Sequence, residues 1–128
     1  MDTLILFTAL LVKHFICDYP MQMFPWMYEN KGIFPHPGGF VHALIHSIGT
    51  AIVLSIFVDF LTWQDFVLLC FVFEGSLHYA IDYTKVNLCK KYRLKPTTSD
   101  LYWVLLGFDQ LLHHLTYAAI ALAVLKRF

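Results

Sequence analysis

Eight histidine and aspartate side chains in this chain fall into four pairs spaced i, i+4: His14 and Asp18, His42 and His46, His78 and Asp82, Asp109 and His113. Residues four apart on an α-helix share one face and lie about 6 Å apart along the axis. Four helices could therefore each aim one pair at a common point. Five imidazoles and three carboxylates suit one or two divalent ions such as zinc, manganese or iron. The carboxylates would also offset the charge of those ions in a low-dielectric interior. A single His–Asp pair inside a membrane bundle most often serves only as an interhelical hydrogen bond. Four pairs at matched depth favour a site, because every ionisable group held in lipid is costly.

Several further polar residues belong near these pairs. Glu74 lies one turn deeper than His78 on the same stripe and is the candidate general base, a structural hydrogen bond being the alternative. Gln22 and Gln110 flank the pairs and could bind substrate or orient an imidazole. Lys85, with Lys90 and Lys91, could steer an anionic group, although ordinary membrane topology also explains a basic loop. His114 could replace His113 as a ligand. His36 reads as a solvated loop residue, and Lys13 as a side chain that snorkels or pairs locally.

The elements that must position these residues are membrane helices. Only 14% of the chain is charged and its mean hydropathy is +0.61, whereas a soluble domain carries about 25% charged residues. Nine basic residues balance nine acidic ones, which gives no reason to expect a nucleic-acid partner. Three cysteines with no framework spacing read as buried thiols. Four windows approach the length of about 20 residues that a spanning helix needs: residues 3–22, 38–61, 64–85 and 100–125. The first has no basic segment before it and carries Lys13 and His14, so it reads as a retained span rather than a signal peptide. The runs lack the alternating polarity of a membrane β-barrel. The expected fold is therefore all-α and integral to the membrane, a single transmembrane domain of four helices.

Prolines and glycines between residues 20 and 39 mark the first loop, residues 59–65 a tight polar turn, and residues 90–100 the last loop, where Thr97, Thr98 and Ser99 offer caps. Lys31, Lys85, Lys90, Lys91, Arg93 and Lys95 flank the first and third windows, which puts those loops in the cytoplasm and both termini outside. Trp26, Tyr28, Tyr83, Tyr92, Tyr102 and Trp103 would form the inner aromatic belt, with Trp63 on the outer face. Spans one and three both read His-aromatic-x-x-Asp-Tyr, and the step from Asp18 to His42 nearly equals that from Asp82 to Asp109. This predicts a tandem repeat of one helical hairpin, residues 1–61 and 62–128, related by a pseudo-two-fold along the membrane normal. Alternating helix direction then sorts the pairs into a deeper tier (His14, His46, His78, His113) and a shallower one (Asp18, His42, Asp82, Asp109).

The string His14-x-x-x-Asp18-Tyr19-x-x-Gln22, Met27-Tyr-Glu-Asn30-Lys31, His42-x-x-x-His46, His78-x-x-x-Asp82-x-x-Lys85 and Asp109-Gln110-x-x-His113 resembles a small family of bacterial and phage integral membrane proteins of unknown function. The resemblance spans essentially the whole chain and implies residence in a bacterial inner membrane. It departs at Leu77, where a small polar residue is expected and Ser76 is displaced by one. More loosely, the pattern is similar to that of predicted membrane-bound metal-dependent hydrolases. Three functions compete. The first is a metal-dependent hydrolase acting on a lipid or phosphate-containing substrate near the cytoplasmic interface. The second is a di-iron or haem redox protein, for which interleaved carboxylates argue against bis-His haem. The third is a non-enzymatic structural or ion-binding membrane protein, disfavoured as a two-sided pathway because the outer halves of the spans are apolar. A homo-oligomer is compatible with a bundle this small.

Overall fold

A computed structural model describes residues 2–126, and all of the regular elements among them are helical. Helix α1 (Thr3–Asp18) is followed by a single turn, α2 (Pro25–Tyr28), and then by α3 (Pro37–Phe57). A short helix α4 (Trp63–Phe66), a π-helical segment (Val67–Gly75) and α5 (Ser76–Lys91) form one continuous rod, and α6 (Asp100–Leu125) completes the chain. The α3 helix, the 29-residue rod and α6 are long and apolar enough to cross a membrane.

Local chemistry explains most of the boundaries. Asp2 caps α1, its side chain accepting from the Leu4 N–H. That helix ends at Asp18 rather than at residue 22, because Pro20 has no N–H to continue the ladder beyond the Tyr19 cap. At 16 residues it is about 24 Å long by the rise per residue. Pro37 opens α3 behind His36, whose Nδ1 accepts from the Gly38 N–H, so His36 is a cap and not a merely solvated loop residue. Thr62 and Asp65 close a capping box that starts the rod. Ser99 sits at the cap position of α6 without making a side-chain cap bond. At the rod's far end, Leu94 N–H bonds to the Cys89 carbonyl and Arg93 N–H to that of Lys90, the pairing of a Schellman motif.

The third window was expected to be one regular α-helix. Instead its first half runs with i→i+5 bonds up to Gly75. The Ser76 hydroxyl at the junction bonds back to the carbonyls of Val72 and Phe73, which draws acceptors out of the ladder where the winding changes.

The helices close a ring: α1 packs on α3, α3 on the rod, the rod on α6, and α6 back on α1. Contacts run antiparallel, since Asp18 meets His42 while Lys13 reaches His46, and Ser47 lies beside Gly75 while His42 meets Asp82. One end of the bundle is dry, built from Leu6, Leu10, Leu54, Cys70, Ile120 and Val124. The outward faces carry exposed Ile5, Val12, Ile52, Leu68, Val104 and Leu115. Charge lies inside and apolar surface outside, the inverse of a soluble bundle.

With apolar side chains on both sides of each helix, association depends on close fit and internal polar contacts rather than on expelling water. Gly49 makes one such fit: a Cβ there would lie 2.8 Å from Lys13 Cδ and 3.3 Å from Cys17 Sγ. Gly49→Ala is therefore expected to push Lys13 from its seat and cost about 1–3 kcal/mol, read as a lower unfolding midpoint in detergent. A variant as stable as wild type would show that the α1–α3 contact is loose.

Candidate metal centre

Four layers stack along the bundle axis; on α3, the rod and α6 the polar layers are one helical turn apart, whereas α1 supplies its adjacent residues Lys13 and His14 to two of them. Above the apolar end come Lys13, Thr50, Glu74 and Tyr117, all buried. The next turn holds His14, His46, His78 and His113, and the last holds Asp18, His42, Asp82 and Asp109, again all buried. The two tiers expected from the spacing are thus present. In the deeper tier the His46 and His78 rings stack at 3.6 Å, His78 and His113 lie at 4.2 Å, and His14 is 5.0 Å from His113.

Two groups in these tiers could hold a metal ion: Asp18, His42, His46 and His78, and separately His78, Asp82 and His113. In each, one ligand atom per residue lies within 4.8 Å of the others. The first has the tighter geometry. Asp18 Oδ1 is 3.2 Å from Nε2 of both His42 and His46, and the His42 and His78 Nε2 atoms are 3.1 Å apart. Ligands about 2.0 Å from a tetrahedral ion would be separated by about 3.3 Å. Asp18 Oδ1 and His46 Nε2 are close, buried, and not hydrogen-bonded. Buried polar atoms are nearly always satisfied, so two such atoms converging at 3.2 Å without hydrogen-bond geometry fit a shared cation.

The second group is looser, with His113 Nε2 3.4 Å and His78 Nε2 3.7 Å from the Asp82 carboxylate. Its charge already has a partner: Lys31 Nζ donates to Asp82 Oδ2 at 2.7 Å and to Gln22 Oε1 at 2.9 Å. Lys31 is buried, although it comes from the loop between α1 and α3. Its expected part was only that of a basic loop residue. Met27 beneath the loop is also buried, and Gly38 comes close to the Trp26 carbonyl, so the segment folds back over the bundle end.

His14 and Asp109 lie beside both groups but outside them. One assignment of protons satisfies the contacts of the Tyr117 hydroxyl with Lys13, His46 and His14. Lys13 Nζ donates to it at 3.1 Å and His46 Nδ1 donates at 3.4 Å, while the hydroxyl donates to His14 Nδ1 at 3.0 Å. His14 Nε2 then carries its proton toward Gln110 Oε1, 3.1 Å away, and His46 Nε2 keeps a free lone pair facing Asp18. Gln110 also donates to Asp109 Oδ2 at 3.1 Å and, at 3.4 Å, to Asp18 Oδ2. Asp109 Oδ1 has no hydrogen-bond partner among the described residues and lies 3.7 Å from His113 Nε2. His113 rather than His114 is in the cluster; His114 is half-buried and touches only the edge of the His14 ring.

Glu74 is placed differently from a base beside the ligands. Its carboxylate accepts from Lys13 at 2.6 Å, one layer deeper than the imidazoles. Lys13 therefore does not snorkel. It is buried against Glu74, the His46 carbonyl and the face of the Tyr117 ring. Tyr117 lies one turn beyond His113, and continuing the i, i+4 stripe of α6 inward is the signal that would have found it.

A cavity of about 630 Å³ opens above the carboxylate tier, with Asp18, Asp82 and Asp109 in its wall. Gln22, Gln110 and Lys85 also line it, whereas Glu74 does not. A family model described as a protein of unknown function (DUF3307) matches residues 6–128, consistent with the resemblance drawn from the motifs. That description names no activity, so the hydrolase likeness gains nothing from it. No curated protein and no solved structure matches the chain.

Proposed function

The chain belongs to this family of unknown function, and we propose that it is a membrane-embedded metal-dependent hydrolase acting on a lipid or phosphate-containing substrate near the cytoplasmic interface. The observation that carries this reading is the first ligand group. Its contacts of 3.1–3.2 Å join carboxylate and imidazole atoms from three helices, and Asp18 Oδ1 and His46 Nε2 have no hydrogen-bond partner there. One ion held by Asp18, His42, His46 and His78 suits that geometry, and a donor set of nitrogen and oxygen without thiolate suits zinc, manganese or iron. When bound, such an ion would acidify a water and polarise an ester or phosphoryl oxygen.

The protein's own groups have definite tasks in this reading. Lys31 neutralises Asp82, so the second group needs no ion of its own. Gln110 ties Asp18, Asp109 and His14 together and fixes the carboxylates against the cavity. Asp109, a residue of the cavity wall, accepts the proton of the attacking water. It replaces Glu74, whose carboxylate is taken by Lys13.

The membrane arrangement belongs to the same proposal. All four bundle helices cross, the cavity end faces the cytoplasm with its lysines, and the two hairpins are copies of one unit, each supplying two side chains to each polar layer. The shorter α1 is accommodated by tilt and local thinning of the bilayer.

Purified protein loaded in turn with zinc, manganese and iron is expected to cleave phosphate-ester or carboxyl-ester lipids in mixed micelles. Turnover should fall to background on chelation and return when metal is restored. Asp109→Asn should lower turnover at least about a hundredfold with metal retained. Stoichiometric metal without turnover on any ester, or a Soret or ferric–oxo absorbance band, would overturn the hydrolase in favour of a redox or purely ion-binding protein.

A further inference from the structure

The cavity has a second chemical character, distinct from its carboxylate floor. Five cationic side chains line it: Lys31, Lys85, Lys90, Arg93 and Lys95. Set against Asp18, Asp82 and Asp109, these five cations leave an excess of two positive charges before any metal is counted. Positive-inside topology accounts for basic residues in a loop, but not for their gathering around one concavity that reaches down to a candidate metal centre.

Arg93 provides a second and independent observation. It occupies the residue of the Schellman turn just past the end of α5, with φ of 52°. Glycine usually fills that position because a Cβ is sterically penalised in left-handed backbone. Here arginine is held there, and its side chain lines the cavity. Strained backbone of this kind concentrates at functional sites, where the side chain it aims is what is needed. A guanidinium offers a planar fork of donors that matches the oxygens of a phosphoryl group.

We infer that this cavity binds a dianionic phosphoryl group, with Arg93 and Lys90 gripping it at the rim, Lys85 on the wall, and Lys31 between it and Asp82. The charge excess matches a phosphomonoester, and Tyr28, Tyr102 and Leu106 in the same wall offer apolar surface to whatever the phosphate is attached to. This deepens the hydrolase reading by naming its substrate class, and rests on that reading for the fate of the phosphate. Binding itself needs only the cations.

The test uses the full chain in nanodiscs of neutral phospholipid, with and without chelator. Inorganic phosphate is titrated calorimetrically, and phosphatidate, a lipid phosphomonoester, is compared with phosphatidylcholine in the discs. Wild type should bind phosphate, and Arg93→Gly should weaken binding at least about tenfold while raising the unfolding midpoint, because glycine suits that turn. Lys90→Gln, at an exposed position, should weaken binding in the same direction. Preference for phosphatidate over inorganic phosphate would identify a lipid headgroup, and the reverse a soluble ester.

Metal-loaded protein that fails to bind phosphate, or Arg93→Gly that binds like wild type, would overturn the inference and leave the metal centre standing. The cations would then serve topology alone. Arg93-dependent phosphate binding by a protein that takes up no metal would support the inference and remove the hydrolase reading instead.

Discussion

Wild-type protein is expected to hold close to one equivalent of metal by elemental analysis, and His78→Ala is expected to lose it. His78 is the residue common to both groups of ligand atoms, and its ring stacks on His46, another ligand. Losing even a residue that only orients a ligand costs about 10–100-fold in metal affinity, so loss of a ligand should exceed about a hundredfold. Helicity should persist, because the apolar end of the bundle is untouched. His78→Ala/Asp82→Ala should also lose the metal, but it strands buried Lys31 without its carboxylate and should be the less stable of the two. Folded wild type without metal, or His78→Ala that keeps its equivalent, would sink the metal centre.

The second large effect concerns stability. Glu74→Ala leaves the buried Lys13 ammonium facing only a hydroxyl, a carbonyl and a ring face. Breaking a buried ion pair from one side typically costs about 3–5 kcal/mol, whereas replacing both partners by apolar residues of similar size is often neutral. Glu74→Ala should therefore unfold at much lower denaturing detergent than wild type, and Lys13→Met/Glu74→Met should recover most of the loss. The double variant has a further consequence at the metal. Without Lys13 donating to it, the Tyr117 hydroxyl is freer to turn, and the proton pattern that leaves His46 Nε2 bare is less firmly held. Metal affinity in the double variant should fall even where stability returns. Equal stability of Glu74→Ala and wild type would show that the Lys13–Glu74 pair does not hold the bundle together.

Much of the site was legible in the residue spacing, for one physical reason: a helix brings i and i+4 to one face, and a bundle turns each polar face inward. His14/Asp18, His42/His46, His78/Asp82 and Asp109/His113 could thus be assigned to two tiers from spacing alone, and in the folded protein all eight are buried, with the rings of His14, His46, His78 and His113 gathered together. Helix ends were less legible. Hydropathy carries across Pro20, but the α-helical ladder does not, and α1 stops at Asp18 with a single wider bond from Met21 N–H to the Ile16 carbonyl beyond it. The π-helical winding before Gly75 has no periodic signature in a stretch that is apolar on every face. Lys31 was read as a topological charge, because nothing local reveals that a loop folds back and places an ammonium on Asp82, 51 positions away.

What the amino-acid sequence determined by itself is therefore periodicity, polarity and depth: which side chains face inward and in which layer. Tertiary structure decided the pairing within and between layers. It matched Lys13 with Glu74 across 61 residues, used Tyr117 to separate the roles of His14 and His46, and placed His78 rather than His14 in one ligand group with Asp18, His42 and His46, although His14 Nε2 also lies 3.3 Å from Asp18 Oδ2. Those choices depend on the rotation and offset of one helix against another. Side-chain packing sets both, and no spacing along a single helix encodes them.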